Sequence, residues 1–304
     1  MTLNNQDKQL AVFGNFSGYL EETACPICPS PPDPKLIFKK REGIGIWLCP
    51  RCGVYYASPR FNESSLLTIY ENEAFSDMSV YPNWSYDAWQ ESGTRGWFVS
   101  NLKTQLVKRY LHDGDAVLDV GCGTGEFVLV ARKNNLEAEG IDNSKMLTDV
   151  GQNILKVPVH KVDIRDFRPN RKFKGIVIWD VLEHLYDPVE TLEMCANLLE
   201  PKGFLFAQVP NYRGISNKLK SLACRSGLSK NDYGHFGFPY HLYFFDKQSL
   251  ANLVIAADFK PLHFESWSHL LKDGKRGFLR DIVIAATKKY CLSDYIIVVA
   301  QRKS

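Results

Sequence analysis

The sequence predicts an α/β fold, in which a doubly wound and mostly parallel sheet follows a small cysteine-rich ribbon. From residue 116 onward, short apolar segments alternate with segments of helical periodicity, the pattern of strand–helix units in a parallel sheet. Four of the eight cysteines form two CxxC pairs near the N-terminus. A chain of 304 residues is long enough for one large domain and a small one.

Composition and charge exclude several other classes of protein. Hydrophobic residues at 45% and charged residues at 23% are ordinary globular values, and exclude a disordered chain or a coiled coil. A net charge of +3 is too small to indicate a nucleic-acid or membrane partner. The sequence has no signal-peptide pattern and no apolar stretch of about 18 residues. We therefore expect a cytoplasmic protein with no membrane span.

Residues 21–60 are predicted to form a zinc ribbon. Cys25 and Cys28 make one CxxC pair, and Cys49 and Cys52 make the second pair after twenty intervening residues. This spacing is typical of a tetrahedral Zn²⁺ site with four thiolate ligands. A segment this short has little core, so metal binding would contribute its folding free energy, and we expect a structural ion. Four reduced cysteines without a metal are the alternative.

Residues 61–115 are predicted to form a helical linker or cap before the sheet. Apolar and aromatic residues recur along this region, among them Leu66, Tyr70 and Trp97. Trp84, Tyr86 and Trp89 lie between the helical segments, in a stretch that could cover a ligand.

Residues 116–304 are predicted to hold the doubly wound sheet. The predicted strands are residues 116–120, 138–141, 159–164, 175–179, 203–209, 261–267 and 295–301, and helices are expected at 125–133 and 187–199. A long insertion at 211–250 separates the fifth and sixth strands, and connections of this length are usually functional. Its basic residues, Arg213, Lys218, Lys220, Arg225 and Lys230, form either a solvated helix face or a site for a diphosphate.

A glycine loop joins the first strand of this sheet to its first helix. Gly121, Gly123 and Gly125 alternate with other residues, which suits a tight turn that a ligand approaches closely. A dinucleotide fingerprint would require glycine where Glu126 stands, and a carboxylate there would repel a pyrophosphate at the helix N-terminus. The loop therefore argues against a nicotinamide or flavin dinucleotide.

Four acids follow successive predicted strands, namely Asp119, Asp142, Asp163 and Asp180. Ligands of open α/β sheets bind at this carboxyl edge. S-adenosylmethionine carries a sulfonium, an ammonium, two ribose hydroxyls and an adenine amine, which carboxylates can meet. The acids therefore favour this cofactor over a phosphorylated nucleotide.

Residues 116–210 resemble the class I S-adenosylmethionine-dependent methyltransferases. The family's D-x-G-x-G-x-G loop is matched by Asp119, Gly121, Gly123 and Gly125, with Cys122 inside it. The resemblance implies a seven-stranded Rossmann-like methyltransferase sheet. It also implies that Asp142 binds the ribose hydroxyls and that Asp163 lies near the adenine, with Asn143 and Ile164 as further cofactor-binding residues. Asp180, after the fourth strand, is expected to border the same cofactor.

Two further segments resemble a narrower branch of that family. VIWDVLEHLYDP matches the fourth-strand region of the small-molecule enzymes. CPRCGVYYASPR resembles the zinc module that precedes some bacterial C- and O-methyltransferases of sugar and secondary-metabolite pathways. The resemblance implies a small-molecule acceptor, such as a sugar, a nucleotide-linked sugar or a related metabolite.

Three residues are candidates for catalysis. His184 follows the fourth strand and, with a pKa near neutrality, is the best candidate for a general base. Glu183 is a weaker candidate, and His241 resembles a histidine that related enzymes carry near the substrate. Structural alternatives remain open, since Asp180 and His184 could pair with each other and His241 could be a packing residue.

The sequence leaves three functions open. The first is methylation of a small molecule at carbon or oxygen. The second is methylation of RNA with the ribbon as a binding module, although the ribbon lacks dense basic residues and DVLEH stands where an amine-methylating motif would be. The third is a non-catalytic scaffold, which the intact glycine loop and acids oppose.

Overall fold

The computed structural model describes residues 18–29, 33–39, 43–65, 95–226, 240–268, 287 and 290–303. Several residues named above lie outside these ranges: Leu66, Tyr70, Trp84, Tyr86, Trp89 and Lys230. For Trp97 and Arg225 only the backbone is described.

The N-terminal ribbon consists of short strands: β1 (Leu20–Glu21), β2 (Lys35–Lys39), β3 (Gly45–Leu48), β4 (Tyr55–Ser58) and β5 (Arg60–Phe61). The strands β2, β3 and β4 pair in antiparallel fashion, and β1 pairs with β5. The turn between β3 and β4 carries the second CxxC pair, and backbone hydrogen bonds between Cys49 and both Gly53 and Val54 close it at 2.9 and 3.0 Å.

The remaining strands are β6 (Ala116–Val120), β7 (Glu137–Asp142), β8 (Val159–Lys161), β9 (Phe173–Trp179), β10 (Leu199–Pro210), β11 (Tyr243–Phe244), β12 (Phe259–Trp267) and β13 (Tyr295–Arg302). Seven of them form one sheet in the order β12-β13-β10-β9-β6-β7-β8. The predicted α/β fold is therefore confirmed, and each predicted strand overlaps an observed one. The third strand is shorter than predicted, so Asp163 stands in the loop after it.

The strand order changes direction between β6 and β9. The strands from β8 to β10 run parallel, whereas β13 is antiparallel to β10 and β12 is antiparallel to β13. From β6 the chain moves outward to β7 and β8, and it then returns to β9 on the other side. The carboxyl ends of β6 and β9 therefore flank the crevice where ligands bind in such sheets.

The described helices are α1 (Arg95–Val107), α2 (Glu126–Lys133), α3 (Lys145–Val150), α4 (Pro188–Leu198), α5 (Ile215–Arg225) and α6 (Lys247–Ala256). Both predicted helices are observed, and their ends lie within one residue of those predicted. Gly125 precedes α2 with a left-handed φ of 81°, and the Asp187 side chain caps α4 by accepting a hydrogen bond from Glu190 N. Within the described ranges, every helix falls short of the length and hydropathy that a bilayer span requires.

The ribbon and the large sheet share one hydrophobic core. β11 belongs to the insertion, yet it pairs with β4 and completes a four-stranded sheet in the order β11-β4-β3-β2. Ile46, Val54 and Phe61 of the ribbon are fully buried in the same apolar cluster as Leu205 of β10. The ribbon therefore buries apolar side chains against the sheet, although its length alone predicted little core.

Candidate functional site

The glycine loop has the conformation that only glycine adopts without strain. Gly121 has a φ of +73°, and a Cβ there would lie 2.5 Å from Val181 Cγ2. The amides of Gly121 and Cys122 both donate to Ile141 O, at 2.9 and 3.0 Å, which fastens the loop to β7. The Cys122 thiol packs against Gly140, where a Cβ would approach it to 2.6 Å. The glycines therefore let Val181 and Cys122 pack closely against the backbone, and Gly121 itself lines two cavities.

Asp142 is held at the end of β7 by the backbone around it. Its two carboxylate oxygens accept hydrogen bonds from Gly123 N and Ser144 N, each at 2.8 Å. Burial raises its pKa despite these two donors. Each oxygen keeps a second lone pair, and Asp142 lines a cavity at this edge of the sheet. The carboxylate can thus accept from two adjacent hydroxyls.

Asp163 and Asn143 lie side by side on the wall of the same cavity, and Ile164 adds an apolar surface. Asn143 Nδ2 donates to Asp163 Oδ2 at 2.9 Å, and the Arg165 guanidinium binds both carboxylate oxygens at 2.9 Å. These hydrogen bonds from Arg165 lower the pKa of Asp163 to about 2. Arg165 was not predicted from the sequence, because its role is visible only once the loop after β8 is folded.

A second cavity lies on the other side of Gly121, and Asp119 is part of its wall. Asp119 is 2% exposed, and its Oδ1 has no hydrogen-bond partner among the described residues. Burial raises the pKa of this carboxyl to about 8, the charge of Lys103 opposes the shift, and that of Asp142 adds to it. A buried acceptor without a donor is costly, unless a ligand supplies the donor.

Lys103 and Trp179 complete this second cavity. The Lys103 side chain is 11% exposed, and its Nζ lies 5.0 Å from the centre of the Trp179 ring. Trp179 Nε1 is buried and, within the described part of the chain, has no acceptor. The cavity therefore offers an acceptor and a donor for a ligand to engage, together with a cation. Neither residue was predicted, because Lys103 belongs to α1 and Trp179 resembles an ordinary strand aromatic.

Asp180 was expected to border the cofactor. Among the described residues, it lies next to the residues that line the two cavities but does not itself line either one. Its carboxylate accepts from Gln208 Nε2 at 2.7 and 2.9 Å, and it lies 3.5 Å from Lys103 Nζ. Asp180 is thus positioned to hold Lys103, and its carboxylate is engaged with these residues rather than with His184.

His184 lies at the edge of the first cavity, in a short 3₁₀ turn after β9. Its Nδ1 lies 3.0 Å from Tyr240 O. Since a carbonyl only accepts, Nδ1 carries the proton and Nε2 keeps its lone pair. Burial lowers the pKa of His184, so the ring is neutral at pH 7. This is the state a general base needs.

The other two catalytic candidates lie beside His184. The His241 ring packs edge-on against the His184 ring with centroids 4.8 Å apart, and burial lowers the pKa of His241 to about 3. Glu183 is 1% exposed, and burial raises its pKa well above its usual value. Its Oε1 lies 3.9 Å from His184 Nε2, beyond hydrogen-bond distance. The burial of Glu183 and its distance from His184 Nε2 fit a structural role.

The four cysteines of the ribbon form one cluster. Cys25 Sγ lies 3.4 Å from Cys52 Sγ, Cys28 Sγ lies 3.9 Å from Cys49 Sγ, and all four sulfurs lie within 4.8 Å of one another. Zinc–sulfur bonds of about 2.3 Å place the ligands of a tetrahedral site about 3.8 Å apart. The donor set and its spacing therefore fit a structural Zn²⁺ ion.

The chain matches a family model described as a methyltransferase domain over residues 96–263, more than half of its length. The match begins in α1 and ends in β12, so it includes the glycine loop and every residue of the two cavities except Glu63.

Two curated relatives are ubiquinone biosynthesis O-methyltransferases. The protein from Coxiella burnetii (strain Dugway) is 34% identical over 144 residues, which cover 44% of this chain and 62% of the relative. That from Actinobacillus pleuropneumoniae serotype 7 is 33% identical over 109 residues, which cover 32% and 47%. The chain thus spans about half to three fifths of their lengths. A solved S-adenosylmethionine-dependent methyltransferase from Archaeoglobus fulgidus aligns with a TM-score of 0.49 at 18% identity, over 68% of this chain and 94% of that one.

Proposed function

Because the chain belongs to the methyltransferase-domain family, we propose that it is an S-adenosylmethionine-dependent methyltransferase that methylates a hydroxyl oxygen of a small molecule. The observation that carries this proposal is the second cavity. Its ammonium, together with a carboxyl and an indole N–H that find no partner among the described residues, complements the two charged groups of an amino acid. The cofactor has such an amino-acid end.

The chain would offer partners for four polar parts of the cofactor, namely its ammonium, its carboxylate, its ribose hydroxyls and its adenine amine. Asp119 would accept from the ammonium, whereas Lys103 and Trp179 Nε1 would meet the carboxylate. Asp142, with its remaining lone pairs, would bind the ribose hydroxyls. At the far end of the first cavity, the side-chain oxygen of Asn143 would accept from the adenine amine. Asp163 would hold Asn143 in place, because its two oxygens already accept four hydrogen bonds, three from Arg165 and one from Asn143.

Methyl transfer needs alignment and, for a hydroxyl acceptor, removal of a proton. S-adenosylmethionine supplies a methyl group made electrophilic by the sulfonium. His184 Nε2 would take the hydroxyl proton as the oxygen forms its bond to the methyl carbon. The hydrogen bond from Nδ1 to Tyr240 O fixes the tautomer with the lone pair on Nε2, and it would stabilise the imidazolium that results.

We propose oxygen as the acceptor atom because the two relatives are named O-methyltransferases. The finer prediction of a sugar or nucleotide-linked sugar rests on the resemblance of the ribbon, and neither relative is named for a sugar. Acceptors of both kinds, a phenolic hydroxyl and a sugar hydroxyl, therefore belong in the test.

The first experiment is calorimetric titration of the zinc-loaded protein with S-adenosylhomocysteine, with NAD as the control. We expect binding of the first ligand only. The second experiment incubates the protein with methyl-labelled S-adenosylmethionine and a panel of catechols, nucleotide sugars and RNA transcripts. Labelled product from a small molecule supports the proposal, and label in RNA alone would replace it. A folded protein that binds no S-adenosylhomocysteine would overturn it.

A further inference from the structure

We propose that the cysteine ribbon is a positioning element of the methyl-transfer site, which holds His184 and His241 through Leu242 and Arg60. The inference rests on the proposed function for its catalytic meaning. The contacts on which it depends are independent of the cofactor.

The first connection runs through the backbone of Leu242. Its carbonyl accepts from Ala57 N in β4 at 3.0 Å, and its amide donates to Glu183 O at 2.7 Å. One peptide segment therefore joins the ribbon to the 3₁₀ turn that carries His184. The neighbouring residues complete the unit, since Tyr240 O accepts the hydrogen bond from His184 Nδ1 and His241 packs against the same ring.

The second connection is Arg60, which is 8% exposed at the end of the ribbon. Its Nη1 donates to Tyr243 Oη at 2.6 Å, and that hydroxyl donates to Tyr186 O at 3.0 Å. The guanidinium also lies over the Tyr186 ring, 4.4 Å from its centre. Tyr186 lines the first cavity and is two residues from His184, so Arg60 fixes the chain on the far side of the histidine.

Arg60 is itself held by the ribbon. Its Nε pairs with Glu21 Oε1 at 2.8 Å, and the backbone next to it accepts a 2.7 Å hydrogen bond from Tyr186 Oη at Phe61 O. The ribbon thus contacts the loop after β9 through Arg60 and through Phe61 O. It also contacts the segment that follows His241, because β4 pairs with β11. These contacts end on residues that flank the two histidines, namely Tyr186 beside His184 and Leu242 beside His241.

The ribbon therefore acts on the tautomer and direction of His184. Without the two connections, the 3₁₀ turn and the segment 240–244 can separate, and the hydrogen bond between His184 Nδ1 and Tyr240 O opens to water. The result would be loss of an oriented base, with the cofactor-binding residues of β6 and β7 unaffected.

The test uses the whole, zinc-loaded chain and the side-chain N–H signal of His184, observed by ¹⁵N-edited NMR and assigned with His184→Gln. Tyr243→Phe removes the hydroxyl that bridges Arg60 and Tyr186 O and leaves the direct 3.5 Å hydrogen bond from Arg60 Nη1 to that oxygen, whereas Arg60→Met removes both connections. Ser58→Ala is the matched control, since it also removes hydrogen bonds of the ribbon, but those bonds join Ser58 to Glu22 and Thr23 rather than to Leu242 or Tyr186.

We expect the Nδ1–H signal to be lost through exchange with water in Tyr243→Phe and Arg60→Met, and kept in Ser58→Ala. S-adenosylhomocysteine affinity should change less than threefold in all of them. The inference would be overturned if the Nδ1–H signal were kept in both Tyr243→Phe and Arg60→Met, or if it were lost in Ser58→Ala. Should Arg60→Met fail to fold, Tyr243→Phe alone decides. Because the signal is measured without cofactor, failure of the proposed function would appear separately, as absent S-adenosylhomocysteine binding in the unmodified protein.

Discussion

We expect a ligand that binds at the buried carboxyl of Asp119 to release a proton. Because its pKa is raised to about 8 by burial, about nine tenths of the molecules hold this proton at pH 7. An ammonium placed against the carboxyl favours the ionised form and drives the proton off. We therefore expect S-adenosylhomocysteine to release about 0.9 proton per site at pH 7, and about 0.1 at pH 9.

Calorimetry measures this release directly. The same titration is run at pH 7 in phosphate and in Tris, whose ionisation enthalpies differ, and the slope of the observed enthalpy gives the number of protons. 5′-Methylthioadenosine, which lacks the ammonium and the carboxylate, is the matched ligand and should release none through Asp119. Asp119→Asn should abolish the release and weaken S-adenosylhomocysteine by about 10- to 100-fold, the value of a charged hydrogen bond.

Equal binding enthalpies in the two buffers would refute the reasoning. They would mean that Asp119 is already ionised in the free protein, or that it stays protonated under the ligand. In the first case the carboxyl has a partner beyond the described residues, and in the second the ammonium binds elsewhere.

The remaining predictions concern four other places in the molecule. Lys103→Met should weaken S-adenosylhomocysteine about tenfold and leave 5′-methylthioadenosine unchanged, as measured by calorimetry; equal losses for both ligands would show that the lysine only supports the fold. His184→Gln should slow labelled methyl transfer by about a hundredfold or more at unchanged S-adenosylhomocysteine affinity, and full turnover would exclude it as the base. The native pKa of His241 is about 3, so unfolding takes up a proton below pH 6.5, and urea denaturation should show about 1.4 kcal/mol less stability from this residue at pH 5.5 than at pH 8. His241→Gln should remove that part of the pH dependence, and an unchanged slope would contradict the assignment. Removal of zinc by a chelator should lower the melting temperature of the whole chain in one transition, because Cys49 and Cys52 lie in the shared core; a separate low-temperature transition would argue against it.

Residues that interact with near neighbours in the sequence could be predicted well. The glycine loop, Asp142 and the CxxC pairs depend on turns and spacings of a few residues, and the carboxyl edge then brings the acids together. Strand limits were also close, because buried parallel strands appear as continuous apolar runs.

Residues whose role depends on distant packing could not be predicted. Lys103 reaches the site from α1, upstream of the sheet, and nothing local distinguishes it from a surface lysine. In the sequence, Asp180 is equivalent to the other acids at strand ends. In the structure, the buried Gln208 on the adjacent strand donates hydrogen bonds to both of its carboxylate oxygens. The pairing of His184 with His241 required β11 to return to the ribbon, and no spacing in the sequence encodes that contact.

The pairing of β11 with β4 also sets an order of events during synthesis. Tyr56 and its partner Tyr243 are about 190 residues apart, and chains emerge from the ribosome N-terminus first. The cysteine knuckles can therefore close around a metal long before the strand that completes their sheet exists. Until then the edge of β4 has unpaired N–H and C=O groups and is open to pairing with another chain. The β4 edge is thus exposed while residues 61–242 are being made, and a fragment cut between ribbon and sheet would keep that edge exposed permanently.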